Sequence, residues 1–297
     1  MATASYRFSA PSADRAVRGE QVFQIASESF TNEHLVKLAK RVSALAKQAD
    51  VDGIVVTHGT DTLEETATFL HLSVDTDKPI VVVGAMRPAT AYSADGPANL
   101  LDACSVAACP GARGRGTLVV MNGRIHSGLW VGKRHVSSVE AFDSPLAGAV
   151  GEVADQAVQW FRAAGRAPTL AWQSPAAWPR VDIAVAYAGV DETAMRAFVA
   201  AGARGIVHAG LGNANTPTAY RAFIQSLPAQ GVLVARCARF ITGSVTRASV
   251  YADAQHGILT AGPLPPHKVR IVMLLGLAHG MDGPALQNWI DRILQAG

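Results

Sequence analysis

Apolar residues run along this chain in two alternating rhythms. Ile54-Val55-Val56 and Ile80-Val81-Val82-Val83 are short unbroken β-branched runs, and Thr117-Leu118-Val119-Val120-Met121 is a third. Continuous runs of this kind suit strands covered on both faces, as in a parallel α/β sheet. Between them the spacing changes. Leu35, Leu38, Val42 and Leu45 recur at helical intervals, with Thr31 and His34 forming half a capping box ahead of them. A second helical pattern begins at Leu63-Glu64-Glu65, and Gly96-Pro97 opens a third through Asn99, Leu100 and Val106, ended by Cys109-Pro110-Gly111. Gln21-Val22-Phe23-Gln24-Ile25 reads as a further short strand, Asn122-Gly123 as a hairpin-type turn, and residues 1–16 as a polar, aperiodic lead-in.

The alternation lapses over 160–179, where a Pro-rich end, Ser174-Pro175-Ala176-Ala177-Trp178-Pro179, reads as a linker. It then resumes with strands at 181–186, 205–209 and 231–235, helices at 192–201 and 217–227, a helix opening at His267 and a terminal helix. The predicted class is α/β. A larger N-terminal parallel-sheet domain covers 1–160, a linker 161–180, and a smaller C-terminal parallel-sheet βαβ domain 181–297.

Composition narrows the function mainly by exclusion. The formal net charge is +3, from 26 basic and 23 acidic residues, with no basic run interleaved with aromatics, so no nucleic-acid partner is expected. Cys104, Cys109 and Cys237 have neither zinc spacing nor a disulfide pattern and read as buried thiols. The nine histidines include no His-x-x-x-His pair joined to an acid, so no metal is expected. Gly210-Leu211-Gly212 lacks the third glycine and distal acid of a dinucleotide loop, leaving no cofactor to expect. No segment reaches about 18 uninterrupted apolar residues, which argues against a membrane span. Residues 1–8 carry no basic region followed by an apolar stretch, so they do not read as a secretory signal. The expected location is cytoplasmic as the chain stands, or periplasmic if an upstream segment bearing a signal has been lost.

Candidate chemistry sits where the first two apolar runs end. Ligands in parallel sheets bind just past the carboxyl ends of strands. There, Thr57-His58-Gly59-Thr60-Asp61-Thr62 brings a permissive glycine, two hydroxyls and a carboxylate into one corner, and Ala85 to Pro97 forms a second polar turn facing the same crevice. The bland account is that Asp61 or Thr62 only caps the following helix. Taken alone, Ser27 and Glu28 are ordinary turn residues, and Lys133 beside Arg134 is a solvated surface lysine.

THGTDTLEETATFL followed by KPIVVVGAMRPATAYSADGPANL resembles the bacterial L-asparaginase family, closer to its type II and glutaminase-asparaginase branch, and the likeness runs from about Arg18 onward. The resemblance implies an asparaginase-like two-domain fold and an amidohydrolase that turns L-asparagine into L-aspartate and ammonia, with glutamine as a second substrate. It assigns Thr60 and Asp61 to the Thr-Asp pair and Lys133 to the lysine that partners it. Ser27 and Glu28 match the pair that grips the substrate's α-amino and α-carboxyl groups, and backbone N–H groups of the Gly59 turn would hold the oxyanion. Asn215 would reach substrate in a neighbouring subunit of a homotetramer built from dimers. Two features depart from the family. The Thr-Gly-Gly-Thr-Ile turn that carries the first nucleophile does not occur before Gly19, Tyr6 being the one tyrosine there, and the interface glutamate falls near Val250. Either the start is misplaced, or the chain is a degenerate copy of weak activity. The competing function is a catalytically silent amino-acid-binding or interaction protein on the same scaffold.

Overall fold

The computed structural model describes residues 16–170, 178–247 and 252–296; Tyr6 and the rest of 1–15, residues 171–177 of the expected linker, and Val250 lie outside the described residues. The N-terminal half runs α1 (Asn32–Ala46), β1 (Ile54–Thr57), α2 (Leu63–Ser73), β2 (Ile80–Val83), α3 (Gly96–Ala108), β3 (Thr117–Met121), β4 (Arg124–Ser127), β5 (Gly132–Lys133), β6 (Phe142–Asp143), β7 (Gly151–Ala154) and β8 (Ala157–Trp160). The C-terminal half runs β9 (Arg180–Val185), α4 (Thr193–Ala200), β10 (Ala203–Gly210), α5 (Thr218–Ser226), β11 (Leu233–Ala238), β12 (Leu259–Thr260), α6 (Pro266–Ala278) and α7 (Gly283–Ala296).

The larger sheet has the order β1-β2-β3-β4-β7-β8, and β1, β2 and β3 are parallel with Ile54 opposite Ile80 and Ile80 opposite Thr117. Its far half differs from the all-parallel expectation, because β4, β7 and β8 join antiparallel. The reason lies at Asn122-Gly123, whose φ angles of 50° and 72° turn β3 straight back on itself as β4. In β2 every residue is buried, and successive side chains serve opposite layers. Ile80 and Val82 pack with Phe69 and Leu70 of α2, while Val81 and Val83 pack with Ala103 and Val106 of α3. His34 completes the cap of α1 by accepting the Thr31 N–H at 3.1 Å.

The strand expected at residues 21–25 is not one. These residues have no assigned secondary structure and no ladder, and Ile25 is 40% exposed. A strand needs a partner, and among the described residues β1 ends the sheet on that side. The expectation of buried thiols also needs correcting, since Cys237 is buried while Cys104 and Cys109 are half-buried.

The smaller sheet, β12-β11-β10-β9, is parallel throughout. Helix α6 touches α2 on one side and β9, β10 and β11 on the other, which is why Val269, Ile271, Val272, Met273, Leu274 and Leu275 are all buried and it has no broad polar face.

Three buried histidines make acid stability predictable. Burial pushes His71, His126 and His208 down to about 4, from an ordinary value of 6.5. The unfolded chain therefore takes up these protons below about pH 6.5, and the folded chain does not until about pH 4. Stability is expected to fall as pH drops through that window, by roughly 1 kcal/mol per pH unit for each histidine. Urea midpoints at pH 7.5 and pH 5 test this, and equal midpoints would contradict it.

Candidate active site

The site forms where β1 ends. The His58 N–H donates to Val83 O at 2.8 Å, tying the turn to the end of β2. Ser27 is buried against that turn. Its Oγ accepts the Asp61 N–H at 3.2 Å, and its carbonyl accepts the Thr62 hydroxyl at 2.8 Å. Gly59 is required for this approach, because a Cβ there would lie 2.6 Å from Ser27 Oγ. With Thr62 bonded elsewhere, no side chain caps α2, so the capping account of the turn is not what the structure adopts.

Lys133 arrives from β5, which pairs with β6 through Phe142. Its Nζ donates to Thr60 Oγ1 at 2.9 Å and to Asp61 Oδ1 at 2.7 Å. The lysine side chain is 18% exposed and the aspartate 58%, so the pair is reachable from solvent yet gathered around the hydroxyl. An amine so placed, once neutral, is positioned to take the Thr60 proton. Among the described residues, the N–H groups of Gly59 and Thr60 donate to no protein acceptor. They are available to a ligand's developing oxyanion.

Two other expected residues stand apart from this cluster. Glu28 is exposed beside Ser27. Asn215 lies beyond β10, where its backbone bridges Leu211. Among the described residues its buried side-chain oxygen has no hydrogen-bond partner, and no described hydrogen bond links it to Thr60, Asp61 or Lys133.

Sequence reasoning missed the groups that support the cluster. The His58 ring faces Gly59 O at 2.7 Å and Thr66 Oγ1 at 2.9 Å. Burial lowers its pKa, outweighing the Gly59 carbonyl, so the ring is neutral, with Nδ1 donating to that carbonyl and Nε2 accepting the Thr66 hydroxyl. Asp95 accepts the N–H groups of Met86 and Arg87, both at 2.9 Å, and shapes the second turn. Glu64 accepts the Lys133 N–H at 3.3 Å and faces His267 Nε2 at 2.9 Å. Burial raises the Glu64 carboxyl, but His267 and Lys268 outweigh it and hold the group below the usual range. Beside Lys133 opens a cleft of about 330 Å³, lined in part by Trp130, Leu146, Arg239, Phe240 and His267. Among the described residues, no group of three or more His, Cys, Asp or Glu could hold a metal ion, and no helix is long and apolar enough to cross a membrane.

Most of the chain is similar to known proteins. A family model described as Asparaginase, N-terminal matches residues 4–166, and one described as Glutaminase/Asparaginase C-terminal domain matches residues 180–290. The chain is 45% identical over 277 residues to a glutaminase-asparaginase of Pseudomonas fluorescens, covering 92% of this chain and 76% of that protein. It is 46% identical to the glutaminase-asparaginase of Pseudomonas aeruginosa over the same shares. It is also 42% identical over 278 residues to L-asparaginase 2 of Bacillus subtilis, covering 93% of this chain and 74% of that protein.

Proposed function

Since this chain belongs to the asparaginase family, we propose that it hydrolyses the side-chain amide of L-asparagine to L-aspartate and ammonia, and that of glutamine as a second substrate. The observation that carries this reading is the reach of one lysine, Lys133, to both Thr60 and Asp61. A threonine hydroxyl is too weakly acidic to attack an amide unaided near neutral pH, so it needs a base at hydrogen-bond distance. In the proposed step neutral Lys133 takes the Thr60 proton as Oγ1 bonds to the amide carbon. The carbonyl oxygen becomes an anion held by the N–H groups of Gly59 and Thr60. Lys133 then returns the proton to the departing nitrogen, the C–N bond breaks, ammonia leaves, and water hydrolyses the resulting ester. Alternatively Thr60 activates the water that attacks directly.

Asp61 orients the amine and binds the substrate's ammonium, with Ser27 and Glu28 completing the grip on its α-groups. We place Asn215 against the substrate of a neighbouring subunit in a homotetramer of dimers; its unpartnered buried oxygen supports that role. The division into 1–160, a linker at 161–180 and 181–297 is part of the same proposal. A second reading is that of a silent amino-acid binder on the same scaffold. Assays of ammonia release from asparagine and glutamine separate the two. Release from asparagine, with less from glutamine, is expected. Calorimetric binding of aspartate with no ammonia from either amide would instead identify the silent binder.

A further inference from the structure

Lys133 sits on a two-residue strand reached through an irregular turn, so its own ladder contributes little to its aim. Groups from distant parts of the chain surround that turn. Lys268, in the first turn of α6, is 1% exposed, and its Nζ donates to Leu129 O at 2.8 Å, to Val131 O, and more distantly to Gly128 O at 3.4 Å. An aliphatic side chain would fill this space without fixing anything, whereas one ammonium holds several backbone carbonyls together. Glu64, in the first turn of α2, accepts the N–H of Lys133 itself through Oε1 and faces His267 through Oε2. That contact anchors the residue by its backbone, leaving Nζ to reach Thr60 and Asp61. His267 and Lys268 are adjacent on a helix of the C-terminal half, while Glu64 follows Asp61 by three positions.

We propose that Glu64, His267 and Lys268 are positioning residues for Lys133, and that through them the docking of α6 sets the distance from the amine to Thr60 and Asp61. This inference rests on the reading of Lys133 as the base. A misplacement of about 1 Å costs up to about 100-fold in rate, so a loosened turn is measurable before the fold is lost.

The test compares Glu64→Ala with Glu64→Gln in the full chain. Glutamine keeps an oxygen for the Lys133 N–H; alanine does not. Glu64→Ala is expected to lower kcat for asparagine about tenfold or more with KM changed by no more than about twofold, and Glu64→Gln to stay within about threefold of the parent. Hydrogen exchange over residues 128–134, measured well below the melting temperature of each variant, should quicken in Glu64→Ala alone. Lys268→Arg should likewise preserve kcat better than Lys268→Met. The proposal is overturned if kcat per folded Glu64→Ala molecule equals the parent's, if Glu64→Gln is equally impaired, or if exchange over 128–134 does not change. A parent chain that releases no ammonia refutes the hydrolase reading instead, and exchange over 128–134 then decides the positioning contact by itself.

Discussion

Lys133→Met is expected to lower ammonia release from asparagine by about a thousandfold, within the range of about 10²–10⁴ that a positioned general base contributes. Methionine matches the length of the lysine stem but cannot take a proton from Thr60. Both contacts of Nζ disappear, at 2.9 Å to the hydroxyl and 2.7 Å to the carboxylate. The fold should survive, because Asp61 is 58% exposed and an ion pair that open to water contributes at most about 1 kcal/mol. The expected result is a protein that melts where the parent does and releases almost no ammonia. Parent-level activity in this variant would remove Lys133 from the mechanism.

The largest expected loss of stability is at Asp253→Ala. Asp253 is paired with Arg236 of β11, and their side chains are 6% and 2% exposed. The arginine also donates to Ala214 O at 2.9 Å, and so holds the loop that presents Asn215. Removing the carboxylate takes the Asp253 charge away from a buried guanidinium, which costs about 3–5 kcal/mol, whereas replacing both partners by apolar groups costs far less. The thermal midpoint should fall by roughly 10 °C. A midpoint close to the parent's would mean that water or a rearranged neighbour compensates the arginine.

The residues that were readable in the sequence share a physical cause. Strands β2 and β3 are buried throughout, and such strands must be written as unbroken apolar runs; β1, with Ile54 buried and Val55 and Val56 half-buried, carries the same composition. Thr60 and Asp61 were legible because polar residues between such a strand and a helix mark a ligand-facing corner. Lys133 was not, since a two-residue strand after an irregular turn leaves no periodic trace; only the resemblance pointed to it. Strands β5, β6 and β12, of two residues each, fall below any usable period for the same reason. The strand expected at 21–25 failed in the opposite sense, having the composition but no described partner along β1. Glu64, His267 and Lys268 were invisible because their meaning lies in pairing, and 203 positions separate Glu64 from His267.

The seat of α6 between the two halves has a consequence for biosynthesis. As the chain leaves the ribosome, α2 emerges long before the helix that packs on it, since 203 positions separate Glu64 from His267. The N-terminal half therefore waits, with an apolar surface uncovered, until α6 has been made. Such a delay leaves the nascent chain open to association, and a gene split between the two halves is expected to yield fragments that need each other to stay dispersed.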